Sequence, residues 1–417
     1  SDRPLAEIAA ELGVDYVVEG TVTFSGSGAR VSTDLIDVAR ERPLWNESYD
    51  LTLVAADVFG TQSAIAARVA GELRAELSDE ETAELARRPT NDFEAWASTQ
   101  RGIELWQQAR DSADYAASLE AFEEAIARDS TYAAPYVGVL LVLENGAVNG
   151  HFGVESTLPR ARAAGRHALA LDPGASLEFG VTAASLLAAL RFWFDWDFEG
   201  TRDEVTRLQA SGGDLGPLFW FLSAIGDHDG AISFVAGRAE GNPASPFFRR
   251  VLASRLYDAR RYEAAAEAAR QALALSPEPL PRARSLLGRS SIRAGAIEAG
   301  LEELERAARE EPGPAARAYV VHGLGLAGRG EEARARFEEL RSDVGVAGIP
   351  LGVRWLAHLG AGDREAAIDA LEAAARERNF IVLLLGQDPD ADPLRGHPRF
   401  TALMDRIGIP ESARIEP

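Results

Sequence analysis

PFFRRVLASRLYDARRYEAAAEAARQALALSPEP, residues 246–279, is followed by PRARSLLGRSSIRAGAIEAGLEELERAAREEPG, residues 281–313, and the two stretches share one plan. Each contains two runs with helical spacing of apolar residues, separated by a short turn and followed by a proline. Pro243, Pro277 and Pro312 lie 34 and 35 residues apart. A period of this length is typical of helical hairpins that stack, because one hairpin exposes too much apolar surface to be stable alone.

Small residues recur where the two helices of each hairpin would touch. They are Ala253, Ala265, Ala269 and Ala272 in the first stretch, and Gly288, Gly300 and Ala307, beside Leu304, in the second. With its period, this pattern resembles the tetratricopeptide (TPR) repeat. We therefore predict a mainly α fold, a TPR-like α-α superhelix (solenoid) of about eight hairpins over residues 92–380. The hairpins between 177 and 241 are the least regular.

Residues 1–77 have a different character. An amphipathic helix pattern covers residues 4–12, and alternating apolar residues then follow over 15–24 and 29–38, with the turn SGSG between them. A third strand is expected over 43–50, and helical spacing returns over 53–77. The sequence therefore predicts a small α/β domain with a three-stranded antiparallel sheet in front of the repeats.

Three runs in this region, LGVDYVVEGTV, PLWNESYD and VFGTQSAIAARVAGELRAEL, resemble the TolB-like amino-terminal domain. That domain accompanies TPR arrays in bacterial adenylate cyclases, serine/threonine kinases and winged-helix regulators. RFWFDWDF at 191–198 and DPDADPLRGHPRF near the C-terminus also resemble landmarks of these proteins. The resemblance implies four segments: a truncated TolB-like domain (1–77), a linker (78–91), TPR-like repeats (92–380) and a C-terminal capping segment (381–417).

The resemblance also implies a setting for the chain. In the resembled proteins a signalling domain lies upstream, often followed by a membrane helix, so we expect this arm on the extracytoplasmic side of a bacterial inner membrane. A cytoplasmic location is the alternative. The chain begins with Ser1, and we expect it to be part of a longer protein from which the upstream signalling domain is missing.

Composition narrows the classes of partner. The net charge is −22, and all 43 basic residues are arginine, an acidic balance that argues against nucleic-acid binding. The chain has no cysteine, which excludes thiol chemistry and cysteine-ligated zinc. No apolar run approaches the roughly 18–20 residues that a membrane span needs, so we expect no direct membrane contact from this part. The oligomeric state stays open.

Several motifs suggest chemistry but suit structural roles better. Residues 323–328, GLGLAG, match a dinucleotide fingerprint, yet they fall inside a predicted repeat helix, where helix packing is the better interpretation. Asp195, Asp197 and Glu199, and likewise the aspartates of DPDAD at 388–392, lack the acid that completes a calcium loop. The six histidines have no metal spacing. We therefore predict no cofactor, no metal and no catalytic residue.

Aromatic residues are densest at 192–198 and 219–221. Aromatic side chains dominate both protein cores and binding hot spots. A packed joint between hairpins is the favoured interpretation. A small-molecule sensor with an aromatic pocket near Trp193 and Trp220 is the alternative function.

The predicted binding surface lies on the first helices of the hairpins, which line the concave groove of a TPR array. Threading the two clear repeats and the next one places eight side chains there: Arg250, Ser254, Tyr257, Arg282, Ser285, Arg289, Arg293 and Arg317. The planar guanidinium of arginine binds carboxylates with two parallel hydrogen bonds. The sequence therefore predicts a non-enzymatic arm that binds a protein or an acidic peptide. A hydrolase or transferase built on the repeats is a third hypothesis, and a deep pocket with paired acids or an acid–histidine pair would favour it.

Overall fold

The fold was analysed on a computed structural model. It describes residues 9, 14–26, 28–40, 42–52, 54–73, 78, 82, 89–109, 111–177, 180–211 and 213–415. Nearly all of the helix predicted at 4–12 and most of the linker predicted at 78–91 lie outside the described residues. The chain divides into two compact units, Ser1–Leu186 and Leu187–Pro417.

A three-stranded antiparallel sheet opens the first unit, as the sequence predicts. Its strands β1 (Tyr16–Ser25), β2 (Gly28–Asp37) and β3 (Arg42–Thr52) are neighbours in the order β1-β2-β3. Leu35 of β2 lies opposite Trp45 of β3, and both are buried. The alternating apolar residues of β1 are not buried: Val18, Val22 and Phe24 are exposed, and Val17 is the only residue of this strand that is half-buried.

Among the described residues, five helices lie between the sheet and Leu171. They are α1 (Ala55–Glu72), α2 (Phe93–Gln108), α3 (Ser112–Arg128), α4 (Ala134–Val148) and α5 (Val154–Leu171). Helix α1 packs on β3 and also reaches α2, where the rings of Phe59 and Trp96 meet edge to face at 5.7 Å. The pairs α2/α3 and α4/α5 are the first two hairpins. The ring of Phe122 fits against Gly138, where a Cβ would come within 2.2 Å of it.

The boundary between the units falls within α6 (Ala183–Leu190). A π-helical turn, Arg191–Asp195, continues α6 and leads to α7 (Phe198–Ala210). The other helices are α8 (Phe219–Ala224), α9 (His228–Gly241), α10 (Pro246–Asp258), α11 (Tyr262–Ala274), α12 (Pro281–Arg293), α13 (Ile297–Glu310), α14 (Pro314–Leu326), α15 (Gly330–Val344), α16 (Leu351–Gly360), α17 (Arg364–Arg376) and α18 (Pro398–Ile407). Among the described helices, none has both the length and the apolar character needed to cross a bilayer.

The repeat period is visible in the turns inside successive hairpins of the second unit. Each turn places one residue in the left-handed backbone region: Gly226, Arg260, Gly295, Gly328 and Gly362, with φ between 60° and 90°. Glycine adopts this conformation without a Cβ penalty, and it is the usual residue after a helix C-terminus. Among these five positions, Arg260 is the one that carries a side chain.

Helices pack with their backbones in contact at several glycines. A Cβ on Gly288 in α12 would lie 2.7 Å from the carbonyl oxygen of Gly300 in α13. A Cβ on Gly325 in α14 would lie 2.6 Å from the Cα of Gly360 in α16. The GLGLAG stretch thus forms the C-terminal end of α14 and the turn that follows it. The interpretation that its glycines serve helix packing is confirmed.

The C-terminal segment is built mostly from short 3-10 turns. Phe380–Leu384 and Pro389–Leu394 form two of them, α18 follows, and Glu411–Ala413 forms a last turn. The apolar run that begins at Phe380 forms a 3-10 turn in which Val382, Leu383 and Leu384 are all buried.

Candidate functional site

The acidic stretch of the C-terminal segment lies on the predicted binding surface. We call the 3-10 helix Pro389–Leu394, together with Asp388 that caps it, the acidic turn. It packs on the side of α10, α12 and α14, the first helices of three successive hairpins, which we call the A-helix surface. Of the eight predicted residues, Tyr257, Arg289 and Arg293 meet there around Asp390.

Asp390 is held by charged and neutral donors together. Its Oδ1 accepts hydrogen bonds from the Tyr257 hydroxyl at 2.6 Å and from Nη2 of Arg293 at 2.9 Å. Its Oδ2 accepts one from Nη1 of Arg289 at 2.6 Å. Arg289 itself lies between two rings, with its Cζ 4.7 Å from the ring centre of Tyr257 and 4.9 Å from that of Tyr319. The carboxylate is 1% exposed, so its charge is balanced inside the protein.

The electrostatics of the cluster follow from this geometry. Burial acts to raise the pKa of the Asp390 carboxyl, but His322, Arg289 and Arg293 together hold it well below its ordinary value. Burial raises the pKa of the Tyr257 hydroxyl, and the negative Asp390 raises it further. His322 is buried, and burial lowers its pKa to about 4, so its imidazole is neutral at pH 7. Asp390 thus stays ionised and Tyr257 stays a hydrogen-bond donor.

A second contact holds the acidic turn at Asp392, which binds one arginine of the repeats and one arginine of the C-terminal segment. Nη1 and Nη2 of Arg260 donate to the two oxygens of Asp392 at 2.7 and 2.8 Å, in the two-pronged geometry that suits a carboxylate. Arg395, whose side chain is 4% exposed, donates to Asp392 from the turn itself. The ion pair with Asp392 gives Arg260 a role that glycine could not fill, which explains a side chain in the left-handed conformation.

Arg250, Arg255 and Arg282 form a second group of positive charge on α10 and α12, which we call the Arg250 group. Burial lowers the pKa of Arg250 to about 10, with further lowering by the positive charges of Arg282 and Arg255. Arg255 is 1% exposed and pairs with Asp258 at 3.0 Å, yet its Nε and Nη1 have no hydrogen-bond partner among the described residues. Its guanidinium covers the ring of Trp220, with Cζ 3.8 Å from the ring centre. The Arg250 group therefore carries three positive charges, and one of them is paired, with Asp258.

Of the other three predicted residues, Ser285 and Arg317 take part in neither arrangement, while the Ser254 hydroxyl accepts a hydrogen bond from Nη2 of Arg255 at 3.2 Å. The Ser254 hydroxyl donates to the carbonyl oxygen of Val251 in its own helix, at 2.9 Å. Ser285 is buried in the packing of α12. Arg317 forms an ion pair with Asp343 of α15 at 2.8 Å.

A cavity of about 380 Å³ lies beside the acidic turn, lined by His322, Asp390, Arg364 and glycines of α14 and α16. Its lining includes an acid and a histidine, Asp390 and His322, the kind of pair that would favour an enzyme. Nε2 of His322 is 3.8 Å from Oδ1 of Asp390, too far for a hydrogen bond, and that oxygen already accepts two others. Asp390 therefore does not orient the imidazole as a catalytic acid would. No serine, threonine, cysteine or tyrosine is among the lining residues.

The aromatic cluster near Trp193 is a packed joint. Phe192, Trp193 and Phe194 are buried, and the ring of Phe192 meets those of Phe198 and Phe221 edge to face at 5.5 and 5.4 Å. These contacts support the packing interpretation that the sequence favoured. Among the described residues, no group of three or more His, Asp or Glu side chains could hold a metal ion.

Asp388 makes the stability of this region depend on pH. Burial raises the pKa of its carboxyl to about 7, and the negative charges of Asp390 and Asp258 contribute. Because this value exceeds the unfolded one, between about pH 4 and 7 the folded chain holds a proton that the unfolded chain has released, so raising the pH favours unfolding.

We expect Asp388→Asn to remove that dependence. Between about pH 5 and pH 8 the wild type should lose about 2–3 kcal/mol more stability than the variant, as measured by urea unfolding. The asparagine oxygen can still accept the 2.8 Å hydrogen bond from the amide of Asp390, and His322 titrates in both proteins. Parallel pH profiles would contradict the assignment.

Some signals of this site were in the sequence and others were not. The arginines of α12 and the aspartates of the acidic turn were both recognised, but as separate features. Arg260 carried a signal of its own, because it stands where the neighbouring repeats have Gly226, Gly295 and Gly328. A side chain at a glycine position in a repeat indicates a contact that the other repeats lack.

Comparisons with known proteins match parts of the chain. No protein-family model matches it. A stretch of 92 residues is 32% identical to putative adenylate cyclase 3 of Rhizobium meliloti (strain 1021); it makes up 22% of this chain and 15% of that protein. The chain therefore spans only 15% of the length of this relative.

Solved structures of helical-repeat proteins are similar in fold at low sequence identity. A tetratricopeptide repeat protein from Parabacteroides merdae is 13% identical, with a TM-score of 0.36, covering 69% of this chain and 98% of its own. The human IFIT1 dimer with PPP-AAAA is 14% identical, with a TM-score of 0.43, covering 77% and 82%. The helical hairpins, their period and their glycine turns make the chain a TPR-like helical-repeat protein that carries a small antiparallel sheet at its N-terminal end.

Proposed function

We propose that the chain is a non-enzymatic protein-interaction module that binds an acidic peptide segment of a partner on its A-helix surface. One observation carries this proposal: the same surface already holds an acidic segment, the chain's own acidic turn, through Tyr257, Arg289 and Arg293. The contacts are those by which arginine recognises carboxylates in peptides. An acidic segment of a partner would bind the part of the A-helix surface whose positive charge the acidic turn does not neutralise.

The Arg250 group is that part. Arg250 and Arg282 form no ion pair with any described residue. The pKa of Arg250 is lowered mainly by burial, and the repulsion from Arg282 and Arg255 lowers it further. In a chain with a net charge of −22, such a local excess is unusual. A partner carboxylate placed between Arg250 and Arg282 would relieve the repulsion between these two guanidinium groups. Phe247 at 53% exposure, whose ring lies 5.2 Å from the Cζ of Arg250, adds an apolar contact.

Charge reversal at Arg250 and Arg282 tests the proposal. The probe is a fluorescein-labelled peptide, QDPDADPL, compared with its neutral counterpart QNPNANPL. We expect the full chain to bind the acidic peptide with a Kd of about 10–100 µM by fluorescence anisotropy, and Arg250→Glu/Arg282→Glu to weaken binding at least about tenfold. The neutral peptide should not bind.

The matched control is Arg270→Glu/Arg309→Glu, which makes the same change in net charge at two exposed positions on α11 and α13. Equal weakening in the control would mean that only overall charge matters. Failure of the wild type to bind the acidic peptide, or binding that survives reversal at Arg250 and Arg282, would contradict the proposal.

We also propose that this module is the sensory arm of a bacterial signalling protein. Two observations support this: the resemblance of residues 1–77 to a TolB-like domain, and the partial match to a putative adenylate cyclase. Sequencing the native gene upstream of Ser1 tests it. A signalling domain followed by a membrane helix is expected there, and an upstream region without a signalling domain would contradict the proposal.

A further inference from the structure

A second candidate site lies in the second unit, away from the acidic turn. It is a cavity of about 440 Å³ where the π-helical turn Arg191–Asp195 meets the C-terminal ends of α17 and α18. Asp195, Trp196, Arg376, Arg378 and Arg406 line it. Its volume falls within the range of about 300–1,000 Å³ that small-molecule sites occupy.

The backbone around this cavity adopts costly conformations. Trp196 has φ 61° and Arg378 has φ 54°, and Arg260 is the one other non-glycine residue with positive φ in the described chain. Arg378 follows α17 in a Schellman motif, with its amide bonded to Ala375 and that of Asn379 to Ala374. Glycine is favoured at that position, and a side chain there costs about 1 kcal/mol. At Arg260 the cost of the left-handed backbone is explained by the ion pair that its side chain forms. By the same reasoning, we expect the side chains of Trp196 and Arg378 to make a contact that glycine could not make.

The charge of the cavity is mostly unbalanced. Within the described part of the chain, Arg376, Arg378 and Arg406 form no ion pair, although many other arginines do. Arg378 lies on the Trp196 ring, with its Cζ 4.1 Å from the ring centre, so its planar group is held in place. The indole N–H of Trp196 is buried and has no hydrogen-bond partner among the described residues. Nη1 of Arg378 also donates to the carbonyl oxygen of Phe194 at 3.4 Å, but no carboxylate of the described residues balances the charge of the three arginines. A ligand that supplies negative oxygen atoms would balance it.

We propose that this cavity binds a small phosphorylated molecule of the sugar-phosphate or nucleotide class. The phosphate would lie among the three guanidinium groups, whose planar N–H donors match its geometry. Asp195 lines the same cavity, and a carboxylate accepts hydrogen bonds from hydroxyl groups. The site therefore suits a ligand with an anionic end and a hydroxyl-bearing end.

Calorimetric titration of the full chain with glucose 6-phosphate, AMP, inorganic phosphate and glucose tests the proposal. We expect at least one of the two phosphorylated organic probes to bind with a Kd below about 1 mM, and binding to weaken about tenfold or more in Arg376→Ala/Arg406→Ala. Glucose should not bind. No binding of either phosphorylated organic probe, or binding that the double variant leaves unchanged, would overturn the proposal and leave Arg376 and Arg406 as charges that complement two helix C-termini. Inorganic phosphate that binds as tightly as either organic probe would overturn the assignment of the hydroxyl-bearing end.

Arg378→Gly separates ligand binding from folding. Glycine suits the left-handed position, so the variant should melt within about 2 °C of the wild type, because relief of the backbone offsets the lost contact with Trp196. We expect the same variant to bind the phosphorylated probe about tenfold more weakly. The matched control is Arg309→Gly, which removes an exposed arginine of α13 and should leave binding unchanged. A variant at Arg378 that folds and binds like the wild type would contradict a role for its guanidinium.

Discussion

Asp390→Ala is expected to lower the free energy of unfolding by about 3–5 kcal/mol, one of the two largest effects we predict for this chain. The carboxylate is 1% exposed, and it balances Arg289 and Arg293, whose side chains are 15% and 21% exposed. Its removal leaves two guanidinium groups and the Tyr257 hydroxyl without their acceptor in a region that water barely reaches. Urea unfolding at neutral pH measures the loss. Hydrogen exchange over residues 382–395 shows whether the acidic turn is released before the rest unfolds.

Asp343→Ala is the control for Asp390→Ala. Asp343 also pairs with an arginine, Arg317, at 2.8 Å, but its side chain is 60% exposed, so the loss should not exceed about 1 kcal/mol. A second comparison replaces the whole cluster, with Asp390→Leu, Arg289→Met and Arg293→Met combined. Apolar side chains leave no charge unpaired, so this variant should be more stable than Asp390→Ala. Equal losses in Asp390→Ala and Asp343→Ala would show that burial of the pair is unimportant.

Gly360→Ala is expected to lower the free energy of unfolding by about 2–4 kcal/mol. A Cβ at this position would lie 2.4 Å from the carbonyl oxygen of Val321 and 2.6 Å from the Cα of His322. Both atoms belong to the backbone of α14, so no side chain can rotate away and the two helices must move apart. Separation of α14 from α16 would also disturb the cavity beside the acidic turn. Chemical denaturation of the variant measures the effect.

Gly352→Ala in the same helix is the matched control for Gly360→Ala. A Cβ at Gly352 would meet no atom within 4 Å, and alanine forms helices better than glycine. We therefore expect this variant to keep or gain stability, by up to about 1 kcal/mol. Similar losses in both variants would mean that the helix does not tolerate alanine in general, and would remove the argument from close contact.

Most of the fold could be predicted from the sequence because its determinants are local. The period of 34–35 residues, the alanines at 265, 269 and 272, and the alternation over 15–24 each depend on residues close together in the chain. The π-helical turn at Arg191–Asp195 was not predicted, because residues of the same type also occur in ordinary helices. The left-handed backbone of Trp196 was missed as well, because such a conformation is not expected of a large aromatic residue.

The candidate site was harder to predict because its partners are distant in sequence. Tyr257 and Asp390 are 133 residues apart, and no local pattern connects them. Arg250, Arg282, Arg289 and Arg293 were identified from the periodicity of their helices, which depends only on register. The occupant of the surface near Arg289 was not identified, because the aspartates of the acidic turn were assigned only a local structural role. That local assignment holds for Asp388, whose side chain accepts from the amide of Asp390, and is incomplete for Asp390 itself.

The ion pair between Arg260 and Asp392 has a consequence for how the array can change in evolution. Repeat proteins commonly gain or lose units by duplication or deletion, because each unit touches only its neighbours. Here the acidic turn contacts α10, α12 and α14, and it forms ion pairs with both Arg260 and Arg289. A hairpin inserted between Arg260 and Arg289 would move them apart by the width of a hairpin, and the acidic turn could no longer pair with both. Duplication is therefore free to act outside this bridged block, while inside it the number of units is fixed.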